Sequence, residues 1–193
     1  MERVIADDKK RIRFLTLSIF PYPLAPPSPK LWGMTISLET MLRHMKWANQ
    51  EIYSKISDLP DEALGSFITN SDWHVAEILS HVAGSADGYA RRLAGRPTED
   101  RIMPKTMQDV RALAKKLEKF DSELIELAKQ PDRVIEVNRD GVVTHWQAST
   151  ILSQAAHHAI EHRCQAVTAL EFKGYKAPDL DDYDVWGYEL STK

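Results

Sequence analysis

Two histidines in the last third of the chain have the types and the spacing that could hold a metal ion. His158 and His162 lie four residues apart in Ala155-Ala-His-His-Ala-Ile-Glu-His-Arg-Cys-Gln165. On a helix this spacing puts both side chains on one face, one turn apart. Two imidazoles in that arrangement can reach a single divalent ion, as the histidines of the H-E-x-x-H motif do. Two separately solvated or hydrogen-bonded histidines are the alternative interpretation.

The residues around the pair predict that both histidines face the interior. Positions at alternating steps of three and four form the seam that a helix usually turns toward a protein core. Three consecutive seam positions hold His, His and Gln, and burying an unpaired polar group costs a few kcal/mol. One metal ion would satisfy both imidazoles. The seam consists of Ala148, Ile151, Ala155, His158, His162, Gln165, Ala169 and Phe172.

The composition favours one folded domain of ordinary character. The chain has 193 residues, of which 43% are hydrophobic and 27% charged, and this length allows a sizeable core. A formal charge of −3 argues against nucleic-acid binding, and no apolar run approaches the length of a membrane span. The single cysteine can form no disulfide within the chain, which fits a reducing, cytoplasmic compartment.

The first 33 residues differ from the rest and are expected to form a disordered extension. Five of the ten prolines fall between Pro21 and Pro29, which excludes a helix there. The apolar segment Phe14–Phe20 follows several basic residues, so a signal peptide must be considered, but the segment is short and lacks a clear cleavage site. We therefore expect the folded domain to comprise residues 34–193.

Hydrophobic periodicity predicts four helices, with a small hairpin between the third and the fourth. Thr106 and Asp109 resemble a capping box at the start of the third helix, and Asp140-Gly141 is typical of a hairpin turn. The pattern predicts an all-α four-helix bundle. The expected ranges are 37–57, 70–95, 106–131 and 146–172 for the helices and 133–144 for the hairpin.

A third histidine, His81, lies on the second predicted helix. The clear apolar seam of that helix runs from Val75 through Leu79 and Tyr89 to Leu93, and His81 lies beside the seam. Helical geometry allows His81 to point between helices but does not require it. A partly exposed histidine is the other interpretation.

Several of these segments resemble the DinB/YfiT-like family of metalloenzymes. His158-Ala-Ile-Glu-His162-Arg-Cys-Gln165 is similar to the family pattern H-x-x-x-H-R-G-Q, and Ile78-Leu-Ser-His81-Val-Ala-Gly84 matches the segment that carries the other family histidine. Weaker matches are the opening from Thr35 to Asn49 and Asp140-Gly141 followed by Trp146. The resemblance covers about Met34 to Gly174.

The resemblance implies a fold and a metal site. The family fold is an up-down-down-up four-helix bundle, often dimeric, that usually holds a divalent metal such as zinc or nickel on three histidines. Carried over, the ligands are His81, His158 and His162, which leaves one coordination position open. Arg163 and Gln165 match the motif and are expected to orient ligands or a partner subunit. Cys164 replaces the family glycine and is expected to be a small buried residue.

Two classes of function are compatible with this resemblance. The first is a metal-dependent enzyme, either a hydrolase or a thiol S-transferase or isomerase, acting on a small molecule. The second is a non-enzymatic, stress-associated dimer in which the metal is structural or absent. The family name refers to expression induced by DNA damage and does not imply DNA handling. The sequence identifies neither a substrate nor a separate catalytic base.

Overall fold

The computed structural model describes residues 36–97 and 99–193. The expected extension over residues 1–33 and the expected start of the domain at residue 34 lie outside the described residues.

The first helix, α1, comprises Leu38–Ile56, and its start follows from the local sequence. The hydroxyl oxygen of Ser37 accepts a hydrogen bond from the backbone N–H of Thr40 at 3.1 Å. This bond satisfies one of the N–H groups that a helix leaves free at its first turn. The helix agrees with the range predicted from the sequence. Its buried apolar stripe consists of Leu42, Met45, Ala48, Ile52 and Ile56.

The second helix, α2, comprises Val75–Ala94 and begins later than the sequence predicts. Asn70 Oδ1 accepts a hydrogen bond from the backbone N–H of Asp72 at 3.0 Å, so this segment forms a turn. Short polar side chains compete with the helix for backbone partners in this way. The helix starts only after His74, whose Nδ1 accepts from the backbone N–H of Glu77 at 3.2 Å. The predicted start at Asn70 is therefore wrong.

The third helix, α3, comprises Met107–Ala128 and has the capping box that the sequence predicts. Thr106 Oγ1 accepts from the backbone N–H of Asp109 at 3.2 Å, and Asp109 Oδ2 accepts from the backbone N–H of Thr106 at 3.0 Å. The predicted heptad positions are all buried, which confirms the inward face of this helix. These positions are Val110, Leu113, Leu117, Phe120, Leu124 and Leu127.

A two-stranded antiparallel hairpin connects α3 to the last long helix. Its strands are β1, Val134–Arg139, and β2, Val142–Gln147. Asp140 and Gly141 both have positive φ, at 53° and 83°, which is the backbone that a tight hairpin turn of this type requires. The strands are longer than predicted, and Trp146 lies on β2. The predicted start of the fourth helix at Trp146 is wrong because that residue is taken up by strand pairing.

The fourth helix, α4, comprises Ala148–Phe172 and follows directly on β2. The backbone N–H of Ala148 donates to the carbonyl of Arg133 at 2.8 Å, so the base of the hairpin is tied to the start of the helix. Phe172, the last residue of the predicted seam, is 62% exposed, whereas Ala169 is 2% exposed. Gln165, which the seam predicts to face the interior, is also exposed. The seam is therefore interrupted at Gln165, and its buried part ends at Ala169, one turn earlier than expected.

The chain closes with a 3₁₀ turn, Leu180–Tyr183, and a short helix, α5, Val185–Ser191. His44 Nε2 on α1 lies 2.9 Å from the carbonyl oxygen of Tyr183, and the rings of Trp47 and Tyr188 lie 5.6 Å apart. These contacts hold the C-terminal segment against α1.

The four long helices share one hydrophobic core. α1 packs against α3 and α4, and α2 packs against the same two helices. The described part of the chain is therefore mostly helical, with one small antiparallel sheet. Among the described residues, no helix combines the length and the apolar character that crossing a bilayer would require. Because α2 and α4 are in direct contact, their polar side chains can meet.

Candidate metal centre

Three histidines from two helices meet at the contact between α2 and α4. His158 Nε2 lies 3.0 Å from His81 Nε2 and 3.0 Å from His162 Nε2. One nitrogen from each of the three rings can be chosen so that all three lie within 4.8 Å of one another. All three side chains are partly buried. The apolar seam of α2 did not determine the direction of the His81 side chain. In the structure, His81 points between the helices toward His158 and His162 on α4.

A tryptophan and a glutamine hold the outer side of this cluster. The Trp73 ring meets His81 and His162 edge-on, with centroids 5.2 and 5.5 Å away. The Trp73 indole N–H donates to Gln165 Oε1 at 2.8 Å. The same oxygen lies 2.9 Å from His162 Nδ1. Gln165 thus links the turn before α2 to a histidine of α4.

The hydrogen bonds of Gln165 fix which nitrogen of His162 carries its proton. The indole N–H of Trp73 can only donate, so the amide oxygen of Gln165 must face both rings. His162 Nδ1 then carries the proton and donates to that oxygen, and His162 Nε2 presents a lone pair. Outer partners of this kind commonly set the tautomer of a histidine that binds metal through its other nitrogen.

This tautomer leaves the three histidines unable to satisfy one another. A proton on His158 Nε2 can serve only one of its two 3.0 Å contacts. Without that proton, His158 Nε2 and His162 Nε2 face each other as lone pairs. In either case one of the two close pairs of nitrogen atoms lacks a hydrogen bond, which is unfavourable. A cation that accepts three lone pairs at once removes the conflict.

Burial keeps two of the three imidazoles, those of His158 and His81, in the form that binds metal. Burial, followed by the nearby charges of His162 and His81, lowers the pKa of His158 to about 4. Burial also lowers the pKa of His81, with His162 and Arg101 as smaller causes. Near neutral pH both rings are therefore uncharged, and neutral imidazole is the state that binds metal.

A buried polar chain lies behind the histidine cluster. Arg163, on α4, donates through Nη1 to Asn49 Oδ1 at 2.7 Å, and Asn49 Nδ2 donates to Asp121 Oδ2 at 2.9 Å. All three side chains are buried. The chain ties α4 through α1 to α3, so Arg163 fixes the helix that carries two of the histidines. In the part of the chain that the structure describes, the side chain of Arg163 forms a hydrogen bond with Asn49 and none with the three histidines.

The remaining histidines and the cysteine lie away from the cluster. His44 contacts the C-terminal segment, His74 caps α2, His145 lies on the exposed face of the hairpin, and His157 is exposed on α4. Cys164 is exposed, so the expectation that it would be a small buried residue is wrong. On α4 it lies two positions past His162, which turns it away from the helix contact.

Trp73 was not singled out by the sequence analysis, although it covers the cluster. The sequence predicts a helix for the residues just before α2, and this prediction gives no reason to place Trp73 beside the histidines of α4. Its location became visible only with the turn that Asn70 forms. A tryptophan within the stretch leading to a histidine-bearing helix was the one available signal.

Comparison with known proteins identifies the family of the chain. Residues 34–188 match the DinB family. The chain belongs to that family, as the resemblance of its histidine motifs to the family pattern indicated. It is similar to protein DinB of Bacillus subtilis (strain 168), with 22% identity over 158 residues that cover 76% of this chain and 91% of the relative.

Proposed function

We propose that the protein binds one divalent metal ion through His81, His158 and His162. The observation that carries the proposal is the close approach of three Nε2 atoms, with the tautomer of His162 set by Gln165. A tetrahedral zinc ion with Zn–N bonds of about 2.05 Å separates its ligand nitrogens by about 3.3 Å. The two observed separations of 3.0 Å are close to that value.

The donor set supports a borderline metal such as zinc or nickel. Imidazole nitrogen suits zinc, copper, iron and nickel, whereas magnesium and calcium prefer oxygen. Three protein ligands also leave a position open in a four-coordinate ion, as in catalytic zinc sites. Structural zinc sites commonly have four protein ligands, so the three-histidine set favours a catalytic role.

We further propose that the protein is a metal-dependent enzyme, either a hydrolase or a thiol S-transferase or isomerase. A divalent ion here would act as a Lewis acid that lowers the pKa of a bound water or thiol. The chain's own contribution is to orient His162 through Gln165 and Trp73 and to keep His81 and His158 uncharged by burial, which lowers their pKa. The alternative is a stress-associated, non-enzymatic protein with a structural metal or none.

Metal content measured on purified variants tests the binding proposal. We expect about one zinc or nickel ion per chain in the wild type after metal-replete expression, and a large loss in His81→Ala and His158→Ala. His145→Ala is the matched control, because His145 is exposed on the hairpin. Circular dichroism checks that each variant is folded. Equal metal content in His158→Ala and His145→Ala would refute the proposed site.

Turnover separates the two classes of function. An ester such as 4-nitrophenyl acetate reports hydrolysis, and glutathione with 1-chloro-2,4-dinitrobenzene reports thiol transfer. We expect the wild type to catalyse one of these two reactions. That activity should be lost when the metal is chelated and in folded His162→Ala. Restoring the metal should return the activity only in the wild type. Activity that survives chelation unchanged would exclude a metal-dependent enzyme of that type.

We also propose the family arrangement, a cytoplasmic up-down-down-up four-helix bundle that forms a homodimer. The packing of α1 and α2 against both α3 and α4 supports the bundle. Ile160, 48% exposed on α4, supplies exposed apolar surface for a partner. The single cysteine supports the compartment. Sedimentation equilibrium of the wild type and of Ile160→Asp tests the dimer.

A further inference from the structure

A large groove runs beside the histidine cluster, between α2, the hairpin and the start of α4. Its volume is about 710 Å³, within the range of small-molecule sites. Trp146, 50% exposed, and Val142, 64% exposed, form much of the hairpin wall. The Trp146 indole N–H donates to Thr144 Oγ1 at 3.0 Å, which holds the ring along its own strand.

The groove reaches the histidines through one side chain from each helix. Tyr89, on α2, lines the groove, and its ring lies edge-on to His158 with centroids 5.8 Å apart. Gln154, on α4, also lines the groove and precedes His158 by one helical turn. A molecule in the groove would therefore have one end beside the cluster.

Two arginines give the far end of the groove positive charge. Arg92 and Arg139 both line it, and neither forms an ion pair with any described residue. Arg92 Nη1 donates to the carbonyl oxygen of Gly88 at 2.7 Å, which leaves the charge uncompensated. Burial and the nearby charges of Arg91 and Arg139 lower the pKa of Arg92. Asp140 also lines the groove, but it is not paired with either guanidinium.

The concave surface on the other side of His81 lacks free positive charge. It has a volume of about 320 Å³, and its basic residues already have carboxylate partners. Arg101 pairs with Glu77, Asp87 pairs with Arg96, and Glu99 pairs with Lys119. An anionic ligand would gain less there than beside Arg92 and Arg139. The hairpin side is therefore the better site for an anion.

We propose that the groove binds an elongated organic anion, with an aromatic body against Trp146 and a carboxylate or sulfonate near Arg92 and Arg139. The opposite end of this molecule lies beside the histidines, which makes it the substrate class of the proposed metal centre. That last step depends on the proposed function, whereas the binding of the anion does not. The guanidinium of Arg92 folds back to the carbonyl oxygen of Gly88, which is seven positions from His81 along α2, or about 10.5 Å. The molecule must therefore be about that long.

Two fluorescent probes that differ by one charged group test the groove. 8-Anilinonaphthalene-1-sulfonate carries the anion, and N-phenyl-1-naphthylamine has the same aromatic body without it. We expect Arg92→Gln and Arg139→Gln each to weaken the sulfonate about fivefold, the size of one partly exposed charge-assisted contact. Both should leave the neutral probe within about twofold. Arg111→Gln, on α3, is the matched control.

A tryptophan pair tests the apolar wall. Trp146→Ala should weaken both probes by about tenfold or more, since aromatic contacts dominate such sites. Trp186→Ala is the control, because Trp186 is 78% exposed on α5 and outside the groove. Equal effects of the two tryptophan changes, or arginine changes that do not distinguish the two probes, would overturn the proposal.

A bifunctional probe tests whether the groove leads to the metal. 6-Carboxy-2-naphthohydroxamic acid has a zinc-binding group at one end and a carboxylate at the other. We expect zinc to raise its affinity at least about tenfold in the wild type, with Arg92→Gln reducing the affinity and His158→Ala abolishing the zinc effect. If the wild type binds no zinc but the first two probes behave as expected, the metal site fails and the anion groove stands. If zinc binds but does not raise the affinity, the link between them is overturned.

Discussion

At the scale of single residues, Gln165 sets the chemical state of the cluster. Its amide oxygen accepts from Trp73 and from His162, which leaves the Nε2 lone pair of His162 available to an ion. The sequence motif indicated that Gln165 belonged to the site, because a glutamine occupied a seam position. It could not indicate the contact with Trp73, which depends on a turn formed far away in the chain.

Removing this oxygen should weaken metal binding without unfolding the protein. For Gln165→Met we expect zinc affinity to fall about 10- to 100-fold, the usual effect of losing an outer partner of a ligand histidine. Thr168→Val, on the next exposed turn of α4, is the control. Competition with a chromogenic chelator measures both. An unchanged affinity in Gln165→Met would show that the tautomer is set in another way.

The buried carboxyl of Asp121 should make the stability of the protein depend on pH. Burial raises the pKa of Asp121 to about 7, against the hydrogen bond from Asn49 and the charge of Arg163, which lower it. Its Oδ1 has no hydrogen-bond partner among the described residues. The folded protein therefore keeps this proton up to about pH 7, whereas the unfolded chain releases it near pH 4.

Since the folded state binds more protons between these values, the free energy of unfolding should fall as pH rises from 4 to 7. Asp121→Asn removes this contribution. We expect the stability of the wild type relative to Asp121→Asn to decrease by about 3 kcal/mol between pH 4.5 and pH 8. Urea unfolding at several pH values measures it. Glu118→Gln, an exposed carboxyl on the same helix, should show no such trend.

At the scale of secondary-structure elements, the sequence predicts the bounds of a helix accurately where capping residues mark its ends. The bounds of other elements are predicted less accurately. α3 has a capping box and a regular heptad pattern, and both were found as expected. The start of α2 was misplaced because Asn70 and Asp72 suit a helix start and a turn equally. The predicted hairpin strands are shorter than the observed ones, because β2 runs into α4 without an intervening loop.

The capping box of α3 should contribute measurably to the free energy of unfolding. Thr106→Ala removes the acceptor for the backbone N–H of Asp109 and should cost about 1 kcal/mol of unfolding free energy. Thr106→Ser keeps the hydroxyl and should cost only a few tenths. Chemical denaturation measures both variants. Equal losses would mean that the cap contributes little.

At the scale of the whole molecule, the cluster lies where α2 meets α4, two helices separated in the chain by α3 and the hairpin. An ion held by His81 on one helix and His158 and His162 on the other would cross-link them. An ion that binds only the folded state stabilises it according to its concentration relative to the dissociation constant. The up-down-down-up order of the helices stays a prediction of the family resemblance, because the hydrophobic pattern by itself does not specify it.

Metal removal should therefore lower thermal stability. At a free zinc concentration of 100 times the dissociation constant, the gain is about 2.7 kcal/mol. For a domain of this size that corresponds to a Tm about 5–10 °C above that of the chelated protein. Differential scanning calorimetry measures the shift. The same shift in His158→Ala would assign the effect to zinc bound elsewhere.

The hairpin connects this architecture to what the protein can recognise. Its base is tied to the start of α4, while Asn138, Asp140 and Val142 near its tip are exposed. Exchanging the tip for other short turns would alter one wall of the binding region and leave the imidazoles in place. Substitutions at a few positions of the tip could thus change which ligands the groove prefers. Directed evolution of ligand preference should therefore begin at the tip.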